Sequence, residues 1–400
     1  MNVLFLTLDR IIDINIRKIS EDLMRKFHQE GHNVYVVCPR ERSFNLPTSL
    51  RVQEGVYILG VKTLNMQKTN VVEKGIGTLL IEGQYQRAIK KYLGNIKLDI
   101  ILYTTPPITF TNLVKHLKKR NPHAISYLLL KDIFPQNAID LGMFSEHSLF
   151  NWYFRRKEEQ LYRLSDYIGC MSPANVEFIL RHNPFVQKNQ IEVAPNSIEI
   201  QTVKPLKKSD REKLLQKYHI PTDKTIFIYG GNLGKPQGIP FLIQCLDANK
   251  HRNDCHFVVV GNGTEYGKLR NWYDSQEPQN ATVMKALPKD EYDQLVQACH
   301  VGLIFLDYRF TIPNFPSRLL SYLQYSMPII AATDPNTDMG KIAEENHFGY
   351  ACLSNDVNAF TACIDKMLQS DIQVMGQNAY QFLCDNYSVE HTYNAIIRHF

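Results

Sequence analysis

Ile312-Pro313-Asn314-Phe315-Pro316-Ser317-Arg318-Leu319-Leu320-Ser321-Tyr322-Leu323-Gln324-Tyr325-Ser326-Met327-Pro328 reads as a loop, then the start of a helix, then the lead into a buried strand, Ile329 to Ala332. Asn314, Pro316 and Ser317 are helix-entry residues: a polar cap and a fixed φ ahead of an apolar run. Arg318 falls in the first turn, where free backbone N–H groups and the helix dipole favour an anion. A guanidinium beside them completes a site for a diphosphate. Taken alone, the stretch is equally compatible with a strand-helix-strand packing unit that carries a surface arginine.

Working outward through the second half, Thr225 to Tyr229 is a strand followed by Gly230-Gly231-Asn232-Leu233-Gly234-Lys235-Pro236-Gln237-Gly238. Four glycines beside a strand let the backbone approach a ligand closely, or else form a flexible strand-helix turn. No Gly-Lys-Ser/Thr occurs, so this is not a Walker loop. His256 to Val260 is a strand running into Gly261-Asn262-Gly263-Thr264-Glu265. Strand Thr282 to Lys285, turn Ala286-Leu287-Pro288, helix Lys289 to Ala298 and strand Val301 to Leu306 follow. Asp334-Pro335-Asn336-Thr337-Asp338 reads as a loop and helix cap rather than a metal motif. Helices are expected over Asn358–Leu368, Asp371–Asn386 and Ser388–Phe400.

The first half opens with a continuous apolar run, Val3 to Leu8, then a polar loop, a helix from Ile19 to Glu30, Gly31, and a strand from Asn33 to Cys38. This is a βαβ unit. It has no GxGxxG after its first strand, which disfavours a nicotinamide dinucleotide. His32 is expected to cap the turn. Val56 to Val61 is a strand, Lys68 to Gly77 a loop, and Thr78 to Leu93 a helix carrying Arg87, Lys90 and Lys91. Strand Asp99 to Tyr103 ends in Thr104-Thr105-Pro106-Pro107. Strand Ser126 to Leu130 ends in Lys131-Asp132-Ile133-Phe134-Pro135-Gln136. Ligands bind at such carboxyl ends in open α/β sheets. Asp132 is the best side-chain candidate for positioning or deprotonating a hydroxyl, and is equally compatible with a strand-end aspartate that caps a turn. Glu21, Asp22, Glu158 and Glu159 read as solvated helix carboxylates.

The chain has 400 residues, 44% hydrophobic and 21% charged, which suits two globular domains. Lysines and prolines interrupt the pattern at about 196–222, giving domains 1–200 and 201–385 and a final helix 386–400. The eight cysteines are scattered without a CxxC pair or a Cys/His cluster, so neither zinc nor a redox dithiol is expected. The start is too short for a signal peptide, and no run reaches the roughly 18 apolar residues of a membrane span, so the cytoplasm is expected. Residues 1–195 hold 26 Lys+Arg and 18 Asp+Glu, a net of +8, while the rest holds 19 and 22, a net of −3. A basic first half suits an anionic membrane surface or a lipid diphosphate, though by itself it reads more readily as a solvated basic face.

The motifs in order resemble the GT-B glycosyltransferases of family 4, in the branch that builds capsule, O-antigen and colanic-acid sugars. Gly31-His32-Asn33-Val34, Lys131-Asp132-Ile133-Phe134-Pro135, Pro195-Asn196-Ser197-Ile198, Gly231-Asn232-Leu233-Gly234 with Gln237-Gly238, Val260-Gly261-Asn262-Gly263 and Pro316-Ser317-Arg318 carry the resemblance. It implies an α/β GT-B fold: two Rossmann-like domains facing across a cleft, with the last helix crossing back to the first. It implies a retaining transfer from a UDP-sugar to a polyprenyl-diphosphate-linked saccharide. The sequence has no evident DxD metal motif, so a metal-independent reaction is expected, with no other cofactor and no nucleic-acid partner. Similarity to capsular enzymes points to an N-acetylated amino sugar such as N-acetylfucosamine. The protein would be peripheral on the inner face of the membrane.

The resemblance implies donor contacts from Gly231, Asn232, Gly234, Lys235, Gln237, Gly261, Gly263, Asn314, Pro316, Ser317, Arg318 and Ser321, with the base read at Ala286 and Leu287. Acceptor contacts would come from Thr105, Pro106 and Lys131, and catalysis from Asp132 and Arg318. Two positions depart from the family: Ser321 replaces one glutamate of its E-x7-E pattern and Pro313 stands near the other. Asn232 and Gln237 match the branch but stand where the broader family has its diphosphate-binding arginine and lysine, leaving Arg318 and Lys235 to supply charge. A UDP-sugar 2-epimerase of the same fold lacks its expected His/Glu constellation here. The sequence is also compatible with a degenerate, nucleotide-binding assembly protein and with a non-catalytic sugar-binding protein.

Overall fold

A computed structural model of the chain describes residues 1–65 and 71–400. The chain divides into two compact units, Met1–Glu199 with Ser388–Phe400, and Ile200–Tyr387.

Unit 1 is built on an eight-stranded sheet: β1 (Asn2–Leu6), β2 (Asn33–Glu41), β3 (Ser49–Gln53), β4 (Val56–Thr63), β5 (Ile100–Thr104), β6 (Ile125–Leu130), β7 (Tyr167–Cys170) and β8 (Ile191–Val193). Their spatial order is β3-β4-β2-β1-β5-β6-β7-β8. Every pairing is parallel except β3 with β4. Val3, Leu4, Phe5 and Leu6 are fully buried, as an unbroken apolar run requires when helices cover both faces of a parallel sheet. The chain winds outward from β1 to β4, then returns to β5 beside β1, so the sheet's switch point lies between β1 and β5.

The last helix, Val389–Ile397, belongs to unit 1. Its Ile396 shares the core of Val3, Phe27 and Val36. Tyr393 packs edge-on against Phe27 at 4.9 Å and its hydroxyl meets His32 Nε2 at 3.0 Å. His32 is therefore an anchor for the C-terminal helix, not a turn cap.

Unit 2 repeats the plan with six parallel strands: β9 (Thr225–Asn232), β10 (Cys255–Asn262), β11 (Ala281–Met284), β12 (Val301–Phe305), β13 (Ile329–Thr333) and β14 (Gly349–Leu353). The order β11-β10-β9-β12-β13-β14 puts its switch point between β9 and β12. There the sheet splits: pairing ends at Gly302 against Ile228.

Tyr322 bridges the split. Its hydroxyl accepts from Gly230 N at 3.2 Å and has the carbonyls of Ile228 and Leu303 at 3.1 and 3.3 Å to donate to. The ring lies over Gly302, where a Cβ would come within 2.3 Å of it. Tyr322→Phe leaves the Gly230 N–H and two strand carbonyls without this partner. It should cost about 1–3 kcal/mol of stability, read as a lower denaturant midpoint at unchanged slope.

Some expected elements differ. Val71–Tyr92 is one helix, so the loop expected over Lys68–Gly77 is helical from Val71, and its residues 68–70 lie outside the described residues. Lys208–Lys217, within the expected domain crossing, is a helix. All eight cysteines are unpaired and six are buried, acting as small apolar side chains.

Candidate functional site

In unit 2 the candidate residues gather at the carboxyl edge around the switch point. Arg318 opens the helix Arg318–Gln324, one turn before Tyr322. Its guanidinium stacks 4.2 Å over the Tyr229 ring. Tyr229, Tyr322 and Tyr292 are the groups whose charge it feels most, and all three phenols are pushed upward by burial. They are therefore neutral near pH 7. Its Nη1 is buried without a hydrogen-bond partner, and among the described residues no carboxylate pairs with it. The other end, Nη2, lies 3.8 Å from where a Cβ of Gly231 would stand. A half-buried cation whose Nη1 has no partner, beside backbone that carries no side chain, is a seat for an anion.

The glycine loop is fixed by packing. Gly231 sits at φ 118°, a conformation glycine adopts without strain. Leu233 is buried and takes a hydrogen bond from Glu265 N at 2.9 Å, and its own N–H bonds Asn262 O at 2.9 Å. A Cβ on Gly261 would stand 2.0 Å from Gly231 O, and one on Gly263 2.2 Å from Leu233 O. These two glycines let the loop close down on the end of β10. They shape the site rather than offer it donors.

Other candidates are placed differently from expectation. Gln237 turns inward, its Oε1 accepting from Asn232 Nδ2 at 3.0 Å and Gly234 N at 3.2 Å. That oxygen closes the loop. Lys235 is exposed in the adjoining turn. Ser317 precedes the helix without a side-chain cap bond, and the helix has only seven residues. The capped, dipole-bearing helix start is not realised, and the guanidinium itself carries the positive charge. Asn314 is held through its N–H by Thr337 Oγ1 at 3.0 Å. Asp334 organises that support: its carboxylate takes Asn336 N, Thr337 N and Thr337 Oγ1 at 2.9, 2.9 and 2.8 Å. It is a turn-forming residue, and Asp338 before the next helix makes no side-chain cap bond. Pro316 and Ser321 are half-buried, and Ala286 and Leu287 follow the end of β11.

Unit 1 gathers Thr105, Lys131 and Asp132 at the carboxyl edge of β5 and β6. Thr105 is buried, and its hydroxyl lies 3.1 Å from Lys131 N, 3.3 Å from Asp132 N and 3.1 Å from Asp132 O. One hydroxyl thus sets the backbone that presents both side chains. Pro106 is exposed beside it. Burial pushes the Asp132 carboxyl up to about 6. Burial also lowers the Lys131 ammonium, against the pull of Asp9 and Glu21.

Glu21 is the residue that sequence reasoning missed. It is 1% exposed, and burial raises its carboxyl to about 7. Ser20 beside it donates to Asp9, which follows β1. The available signal was position: a helix following the first strand starts at the ligand-bearing edge. Asp22 and Glu158 are likewise buried, not solvated. Asp22 pairs with Arg25 at 2.5 Å and accepts from Glu199 N at 2.9 Å, and Glu158 pairs with Arg155 at 2.8 Å. Only Glu159 is exposed as expected.

Residues 210–382, nearly all of unit 2, match the family model described as glycosyl transferases group 1. The probable glycosyltransferase WbjE of Pseudomonas aeruginosa is 22% identical over 263 residues, spanning 65% of this chain and 64% of that protein. The chain therefore aligns with just under two thirds of that relative's length. Among solved structures, sucrose-phosphate synthase from Thermosynechococcus elongatus superposes with a TM-score of 0.76 at 15% identity, covering 99% of this chain and 98% of that one. Anabaena Alr3699/HepE in complex with UDP does so with a TM-score of 0.69 at 14% identity, covering 100% and 99%. The fold is that of the GT-B glycosyltransferases.

Proposed function

We propose that the protein is a retaining glycosyltransferase. It moves a sugar from a UDP-sugar to a polyprenyl-diphosphate-linked saccharide during surface-polysaccharide synthesis. An N-acetylated amino sugar such as N-acetylfucosamine is the donor group favoured by the motif resemblance. The observation that carries the reading is Arg318: a cation with a buried, unpartnered Nη1 at the switch point of unit 2. A nucleotide sugar reacts only as its diphosphate leaves, so catalysis consists largely in stabilising charge on that leaving group. Arg318, beside Gly231 where no side chain intervenes, suits that task, and the HepE relative of the same fold is described with UDP. Asp132 would hold or take the acceptor proton.

A lipid-linked acceptor is supported by the surface of unit 1. Leu149, Phe150 and Trp152 at the start of the helix Leu149–Leu164 are 84%, 69% and 62% exposed. Arg156 stands 5.8 Å over the Trp152 ring. Aromatic and aliphatic side chains beside cations suit the interface of an anionic bilayer. Among the described residues no helix is long and apolar enough to cross a membrane.

Calorimetry with UDP, GDP and dTDP, each with and without EDTA, tests the donor side. Saturable binding of UDP that survives EDTA is the expected result. Failure of every nucleotide to bind folded protein would overturn the donor site.

A further inference from the structure

Unit 1 holds a cavity of ≈ 490 Å³ between the helix Val71–Tyr92 and the end of β4, lined in part by Arg42, Lys62, Thr63, Gln84, Arg87 and Lys91. Such a volume lies in the range of small-ligand sites. The topology opens it: β3 covers β4 only as far as Gly60, opposite Ser49, so Val61–Thr63 run on beyond their partner strand.

Four cations converge there. Arg42 is bound to Glu73 at 3.0 Å. Lys62, Arg87 and Lys91 make no ion pair among the described residues. Arg87 and Lys91 are four apart on one helix, a spacing at which like charges repel. The cavity also holds unused hydrogen-bonding groups. Thr63 is 3% exposed and its Oγ1 is buried without a partner, as is Gln84 Oε1. A hydroxyl donor, an amide that can present N–H groups when turned over, and three uncompensated cations together describe an oxyanion's surroundings.

We propose that this cavity binds the diphosphate of the acceptor. This deepens the reading of a lipid-linked acceptor and rests on it. Arg87 and Lys91 supply charge from the helix, Lys62 from the strand end, and Thr63 a hydrogen bond at the cavity wall. The nucleotide's own diphosphate is served separately, by Arg318 in unit 2.

The test is calorimetric titration of inorganic pyrophosphate and of farnesyl diphosphate into the Arg318→Ala protein, which lacks the donor-site cation. A single saturable pyrophosphate isotherm is expected, weakened at least tenfold by adding Arg87→Gln and Lys91→Gln, and independently by Lys62→Gln. Both helix positions are exposed and glutamine keeps helix propensity, so folding should be retained. Its affinity should also fall as sodium chloride rises. Farnesyl diphosphate binding at least tenfold tighter than pyrophosphate assigns the site to a lipid diphosphate, and equal affinity assigns it to the free anion and overturns the acceptor role. Pyrophosphate binding unchanged by all three substitutions would sink the site itself. UDP titration of the wild type is the separate control: its failure condemns the donor reading and leaves the pyrophosphate result standing.

Discussion

Arg318→Ala is expected to abolish measurable UDP binding and to cut turnover about a thousandfold, the scale seen when a single preorganised charge or donor is removed from a transition state. The expectation follows from what the arginine lacks. A guanidinium drawn partly out of water is costly unless something neutralises it, and here its surroundings are the phenols of Tyr229, Tyr292 and Tyr322. Stacking on Tyr229 at 4.2 Å recovers part of the cost. The unpartnered Nη1 shows that the rest is left open. Two outcomes separate this from a structural role. The alanine variant should melt no lower than wild type without UDP, because a poorly compensated, half-buried charge has been removed. Arg318→Lys should restore charge but not the two-pronged geometry, and recover only part of the binding. Unchanged kinetics in the alanine variant would reject the phosphate role outright.

The paired βαβ architecture was legible because continuous apolar runs such as Val3–Leu8 and Thr225–Tyr229 can be buried on both sides only in a covered parallel sheet. The carboxyl-edge positions of Thr105, Asp132 and Arg318 followed from the same pattern. What was not legible depends on who stands beside whom. Gln237 looks like a ligand residue in a glycine loop, yet its oxygen is taken by Asn232 and Gly234. Gly261 and Gly263 look like a phosphate fingerprint, but packing of the Leu233 loop is what excludes a side chain there. The isolation of Arg318 and the burial of Glu21 are properties of folded neighbours many residues away. A carboxylate next to lysines in sequence is as easily solvated as buried, and only the helix's position over the sheet decides.

Asp132→Asn should stabilise the fold at neutral pH while lowering turnover by about a hundredfold or more, the usual range for loss of a general base. Burial holds the Asp132 carboxyl at about 6 against an ordinary 3.8. A folded-state value above the unfolded one means that the folded protein binds the proton more tightly. Stability tied to this group is therefore fullest below the unfolded value and falls as pH rises from about 4 through about 6. Asparagine removes that loss, so the variant's melting temperature should exceed wild type at pH 7 and match it near pH 4. Function runs the other way. A base must be ionised, so wild-type kcat/KM should rise with pH through a midpoint of about 6 and then level off, and the asparagine variant should lack that limb. Thr105 places the Asp132 backbone in both proteins, so a fall in kcat with KM little changed would assign the loss to proton transfer. Full turnover in Asp132→Asn would instead assign the proton to the departing phosphate and leave Asp132 as a strand-end residue whose only effect is on stability.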